Sequence, residues 1–166
     1  VLFRETRDGQ VDARRIDAVV VSHAHIDHCG RLPLLRKRGF RGPIYATPAC
    51  RDLARILLAD SAFMAEREAE RYRRRQAEHG NRHARGFPDP LFTRVDADET
   101  IQQFKPVAYG RAIEVLPGVT LTFRDAGHIL GSAIVELWAD DRKLVFSGDL
   151  GPHGTPILRD PVTVRE

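Results

Sequence analysis

The sequence predicts an α/β domain built in layers, with a helical, arginine-rich insertion. Three observations predict it: a strand–loop–helix–strand succession in residues 16–46, a helical stretch from residue 47 to about 79, and strand-like runs separated by turn residues after residue 111. At 166 residues and 42% hydrophobic, the chain suits one domain with its own core, and its composition is not that of a disordered chain.

Residues 16–22 (Ile-Asp-Ala-Val-Val-Val-Ser) form a β-branched run expected to be a buried strand, which stops at a dense polar cluster beginning with His23. Residues 32–39 predict a short helix, with Pro33 near its start and Gly39 closing it, and residues 43–46 a second strand. Thr47 followed by Pro48 is a helix entry: a capping hydroxyl, then a proline at the first helical position. In the helix that follows, Leu53, Ile56, Leu57 and Met64 are the expected buried stripe. Beyond Glu66 that stripe thins and Arg67, Arg71, Arg73, Arg74 and Arg75 dominate, which reads as a solvated helix end rather than a set of phosphate ligands. Glycine and proline make residues 80–92 a loop, and residues 96–104 one further short helix. Strands are expected at 112–116, 119–124, 133–138 and 143–147, with turns at Pro117-Gly118 and Asp140-Asp141.

The net charge of +3 conceals an asymmetry, for residues 1–94 carry a net +7 and residues 95–166 a net −4. A basic first half suits an anionic partner such as nucleic acid, and an acidic second half can supply carboxylate ligands. No run approaches the roughly 18 apolar residues of a membrane-spanning helix, so no membrane role is expected. Cys29 and Cys50 cannot build a disulfide framework and stand in no CxxC pair, which points away from a thiolate zinc site and toward a reducing, cytoplasmic setting. A single Cys29–Cys50 bridge stays open. The chain begins at Val1 with no signal-peptide pattern, and a fragment of a longer protein is expected.

The chemistry concentrates in Ser22-His23-Ala24-His25-Ile26-Asp27-His28-Cys29-Gly30. Histidines used for packing are usually single, whereas imidazole nitrogens and a carboxylate gathered at a strand end match what zinc and similar divalent ions take. His23 and His25, two apart, suit an extended or turning backbone, and the adjacent Asp27 and His28 can point away from them, which suggests two ions. Two further strand ends offer ligands beside a glycine: Asp125-Ala126-Gly127-His128 and Ser147-Gly148-Asp149. His153, His79 and His83 read as surface histidines.

His23-Ala24-His25-Ile26-Asp27-His28 resembles the HxHxDH signature of the metallo-β-lactamase superfamily, a four-layer αββα sandwich. The stretches Ala126-Gly127-His128-Ile129-Leu130-Gly131-Ser132-Ala133 and Phe146-Ser147-Gly148-Asp149-Leu150-Gly151 are similar to motifs of its β-CASP branch of RNA-processing nucleases, which includes ribonuclease J. The resemblance implies one zinc on His23, His25 and His128, and a second on Asp27 and His28. Asp149 would bridge the two ions, and a hydroxide held between them would attack phosphorus. Zinc is the expected pair and manganese the alternative. Asp27 and Asp149 are the implied catalytic residues, Asp27 by orienting or deprotonating the water.

The same resemblance implies that residues 1–166 are a partial metallo-β-lactamase domain, with the first strands upstream and a β-CASP domain downstream outside this sequence. The expected function is endo- or 5′-exonucleolytic hydrolysis of single-stranded RNA, with a small-molecule metallohydrolase acting on a thioester or lactone as the alternative. The chain alone is expected to bind metal but cleave RNA weakly or not at all, and its uncovered strand edges make a homo-oligomer a candidate.

Overall fold

The computed structural model describes residues 12–78 and 89–165. Two sheets organise it. β1 (Val19–Val20), β2 (Ile44–Ala46) and β3 (Phe104–Pro106) form a parallel sheet in that order, with Val19 opposite Ile44 and Ile44 opposite Phe104. β4 (Ile113–Leu116), β5 (Val119–Asp125), β6 (Ala133–Ala139) and β7 (Arg142–Phe146) form an antiparallel meander. The helices are α1 (Ile26–Cys29), α2 (Leu32–Lys37), α3 (Pro48–Glu78) and α4 (Arg94–Gln102).

The period-2 alternation of the strands divides the core in two. Val19, Ile44, Ala46 and Phe104 turn toward the helices and pack with Phe40, Cys50, Ala54 and Leu58. Val20 and Tyr45 turn the other way, onto Leu121, Phe123, Ala133, Val135 and Leu137 of the antiparallel sheet. The described residues thus stack helices on the parallel sheet and that sheet on the antiparallel one, consistent with a partial αββα sandwich.

Thr47 caps α3 as expected: its hydroxyl accepts from the Cys50 amide at 3.2 Å and donates to the Gly131 carbonyl at 2.6 Å. The buried stripe of α3 differs from the expected one. Cys50, Ala54, Leu58 and Ala62 are fully buried at four-residue spacing, with Leu53 and Leu57 flanking them, while Ile56 and Met64 are 65% and 56% exposed. Alanines let the helix lie close to the sheet, so small residues define the contact and the larger Ile56 and Met64 fall outside it. α4 begins at Arg94, earlier than expected, because Thr93 and Asp96 form a reciprocal capping box. α4 ends at Gln102 and Phe104 begins β3, where the sequence predicts the end of a helix: lysine and proline disfavour a strand there, and pairing with β2 is what makes it one. Between β6 and β7, Asp140 and Asp141 both take positive φ (49° and 59°), as a tight hairpin turn demands.

On the outer face of the antiparallel sheet, the buried Glu136 carboxylate receives Arg124 at 2.8 Å and Lys143 at 2.9 Å. Burial pushes that carboxyl up, but the two cationic donors outweigh it and hold it below its usual range. At the edge of the same sheet Leu144 and Phe146, which share a face with Leu137 and Val135, are 54% and 50% exposed. No helix among the described residues is long and apolar enough to cross a membrane.

Candidate metal centre

Each member of the cluster is delivered by the end of a strand. Val21 makes the last sheet contact of the first strand, donating to the Tyr45 carbonyl at 2.9 Å, and the chain then leaves the sheet. The Ser22 carbonyl accepts from Ala133 at 2.8 Å, fastening this exit to the start of β6 in the other sheet. His23 follows, fully buried, with its Nδ1 3.2 Å from the Ser22 hydroxyl. His25 sits at the N-cap of α1, and that helix carries Asp27 and His28.

His128 comes from the loop between β5 and β6. Gly127 turns there at φ +63°, and the Ser132 hydroxyl accepts from the amides of His128 and Ile129 at 3.0 and 3.2 Å. Asp149 follows β7 after Gly148 at φ +56°. The Gly151 amide then donates to the Ala126 carbonyl at 2.9 Å, which joins the two loops. A Cβ on Gly151 would run into the Gly127 carbonyl oxygen, so this closeness requires glycine.

Four of the six expected residues converge. One ligand atom each from His23, His25, His128 and Asp149 lies within 4.8 Å of the other three. His25 Nδ1 is 3.1 Å from His23 Nε2 and 3.2 Å from His128 Nε2. One ring nitrogen cannot satisfy two such neighbours as a hydrogen bond, since a single N–H serves one acceptor. A zinc ion with bonds of roughly 2.0–2.1 Å to tetrahedral ligands sets those ligands about 3.3 Å apart, close to the observed spacing. The donor set fits a divalent cation.

Asp149 divides its oxygens. Oδ2 lies 3.6 Å from His23 Nε2 and 3.5 Å from His128 Nε2, whereas Oδ1 lies 3.6 Å from His28 Nε2. His28 Nε2 is in turn 3.5 Å from an oxygen of Asp27, whose side chain is 79% exposed. Asp27 and His28 therefore stand outside the first group of four, which His28 meets both through Asp149 and by its ring, 4.0 Å from that of His23 between centroids.

Burial, then the neighbouring His28, push the His23 imidazolium down to about 4, so the ring is neutral at physiological pH and keeps a lone pair to offer. Cys29 and Cys50 are free and buried, and burial raises their thiols to about 11 and about 12, away from thiolate chemistry. His153 is an exposed loop histidine 3.5 Å from Asp160. His79 and His83 lie outside the described residues. Sequence reasoning finds Thr47 as the cap of α3 but not its bond to the Gly131 carbonyl, and it does not find that Ser22 and Ser132 hold the loops. Serines and threonines at loop ends are common, and only the fold distinguishes these three.

The sequence profile of the Metallo-beta-lactamase superfamily matches residues 4–165. Among characterised proteins, Ribonuclease TTHA0252 of Thermus thermophilus is 36% identical over 150 residues, covering 90% of this chain and 30% of the relative. Transcription termination factor FttA is 32% identical over 151 residues in Lokiarchaeum, covering 90% of this chain and 21% of that protein. In Pyrococcus horikoshii it is 40% identical over 123 residues, covering 74% and 16%. The chain thus spans 16–30% of the length of these relatives.

Proposed function

The chain belongs to the Metallo-beta-lactamase superfamily, and we propose that it is the metal-binding part of a phosphodiesterase that hydrolyses single-stranded RNA. The observation that carries this is the split Asp149 carboxylate, with one oxygen toward His23 and His128 and the other toward His28. Relatives named as a ribonuclease and as transcription termination factors, together with the net +7 of residues 1–94, favour RNA over a thioester or lactone. They also support the β-CASP reading, with a β-CASP domain following this sequence. The free, buried Cys29 and Cys50 support a cytoplasmic setting.

In this reading His23, His25 and His128 hold one divalent ion, Asp27 and His28 the other, and Asp149 is shared. Zinc suits the nitrogen-rich first set. When bound, such a pair polarises a phosphodiester and neutralises charge developing on its oxygens. The residues of the chain do the rest. With Nε2 turned to the ion, His23 carries its proton on Nδ1 and donates it to the Ser22 hydroxyl, which holds the ring in place. Asp27, exposed at the mouth, accepts the proton of the attacking water. The net positive charge of residues 1–94 draws the RNA backbone toward the chain.

The test is a substrate panel of single-stranded RNA, a thioester and a lactone. It is run with the 166-residue chain and with the longest natural polypeptide containing it, each loaded with zinc or manganese. RNA cleavage that is strong in the long form, weak in the chain and lost in His25→Ala is expected. Thioester or lactone turnover exceeding RNA cleavage would overturn the assignment.

A further inference from the structure

A cavity of about 420 Å³ opens against residues 129–131, which directly follow His128, and is within the usual size range of small-molecule sites. Tyr109, Ile129 and Leu130 line it together with Ile157, and Asp125 and Arg159 supply its charged groups. Nothing in the reading above uses it.

Its position follows from the topology. Thr47 leaves the C-terminal end of β2, Ala108 and Tyr109 follow the end of β3, and Asp125 closes β5. His23 leaves the end of the first strand and His128 follows the end of β5. Both sites therefore sit on one rim of the sandwich. Since β1, β2 and β3 are neighbours in the parallel sheet, the cavity at β2 and β3 lies about 5–10 Å along the rim from the strand that delivers His23.

The two sites are also joined covalently and by hydrogen bonds. His128 is followed directly by Ile129 and Leu130, so one loop carries a metal-facing imidazole and the cavity's apolar wall. Ser132 serves both: its hydroxyl holds the His128 amide at 3.0 Å, and its carbonyl accepts from the Tyr109 hydroxyl at 2.7 Å. The Tyr109 ring is thereby fixed as a wall of the cavity.

We infer that this cavity is a nucleobase subsite, which takes the base of the nucleotide next to the phosphodiester held at the metal centre. The inference rests on the phosphodiesterase reading and extends it to a choice of base. A flat base has two apolar faces, and a fixed tyrosine ring with aliphatic neighbours is the kind of surface on which unpaired bases stack. The edge of a base needs complementary donors and acceptors. Arg159 donates and Asp125 accepts, with Asp125 Oδ1 also receiving the Gly127 amide at 3.0 Å. Guanine offers O6 and N7 to an arginine and two adjacent donors, N1–H and N2–H, to a carboxylate, whereas cytosine and uracil offer a carboxylate one donor group each, so the pair favours guanine over the pyrimidines.

Binding is measured by calorimetry on the 166-residue chain in excess chelator, with guanosine 5′-monophosphate, cytidine 5′-monophosphate and ribose 5-phosphate as probes. Guanosine monophosphate is expected to bind at least about tenfold tighter than either of the others. Leu130→Trp, which fills the cavity, is expected to remove that preference. Ile157→Trp, at a residue 85% exposed and outside the sheets, does the same without loading the fold. Equal binding of guanosine monophosphate and ribose 5-phosphate overturns the subsite. Equal binding of the two nucleotides overturns the guanine assignment. Two tryptophan variants that bind like the unaltered chain overturn the location. Base binding is read without metal, so its failure would leave phosphodiester hydrolysis standing, and absence of hydrolysis would leave a positive binding result standing.

Discussion

His25 Nδ1 lies 3.2 Å from His128 Nε2, although 103 positions separate the two residues in sequence. His25 begins a one-turn helix after the first strand and His128 rides a glycine turn after β5, so their meeting depends on the two sheets being face to face. Within 3.1 Å on the other side of the same nitrogen is His23. The shared nitrogen makes His25 the pivot of the proposed first metal set.

His25→Ala should therefore remove an ion rather than unfold the chain. Residues that only orient metal ligands are typically worth 10–100-fold in affinity, so loss of a direct ligand should weaken binding by at least about 100-fold. Competition against a fluorescent zinc chelator, with circular dichroism to confirm the fold, measures this. Unchanged zinc affinity would remove His25 from the ligand set.

Stability of the metal-free chain should fall with acid. Folding holds the His23 imidazolium near 4, whereas the unfolded ring takes its proton near 6.5, so below about 6.5 the unfolded state binds the extra proton. The contribution is complete above that pH and is lost progressively between about 6.5 and 4. Urea midpoints in excess chelator at pH 7.5, 6 and 5 check it, and His23→Gln should flatten the slope. A flat profile in the unaltered chain would contradict it.

Gly131→Ala should damage both fold and site. Gly131 has φ +79°, its carbonyl accepts the Thr47 hydroxyl, and a Cβ there would strike the Cys50 amide nitrogen. Left-handed strain and overpacking together predict a loss of about 2–4 kcal/mol. Thermal unfolding of the purified variant measures it, and a loss below about 0.5 kcal/mol would show that the loop relaxes freely.

Ser132→Ala should act on metal binding as well as stability. It strips the amides of His128 and Ile129 of their acceptor, at a cost of about 1–2 kcal/mol, and lets the His128 loop move. Zinc affinity should drop about tenfold, since positioning residues act on this scale. Destabilisation with unaltered zinc affinity would mean the serine holds the loop but not the ligand.

Lys143→Met tests the buried carboxylate on the opposite face of the sheet. Glu136 would keep Arg124 but lose a charged donor at 2.9 Å, for a loss of about 1–3 kcal/mol. Zinc binding should not change, because neither residue belongs to the cluster. Weaker zinc binding would reveal coupling across the sheet.

Much of the fold was legible because its signals are local. The β-branched run before His23, the Thr47-Pro48 entry to α3 and the paired aspartates at positions 140 and 141 each follow from the backbone preferences of a few adjacent residues. The same locality explains what was not legible. The buried stripe of α3 is defined by what lies beneath it, and Cys50, Ala54 and Ala62 are chosen for size against a sheet the helix sequence does not contain. β3 exists because β2 presents an edge to it.

The site divides along the same line. Sequence by itself determined that imidazoles and carboxylates crowd beside glycines at strand ends, the residue types that we propose as cation donors. Tertiary structure alone decided that Asp149 turns one oxygen to His23 and His128 and the other to His28, that Ser132 and Thr47 hold the loops, and that a cavity opens against residues 129–131. Those are distances between segments far apart in the chain, and they are set by the register and stacking of the sheets rather than by any stretch of residues read alone.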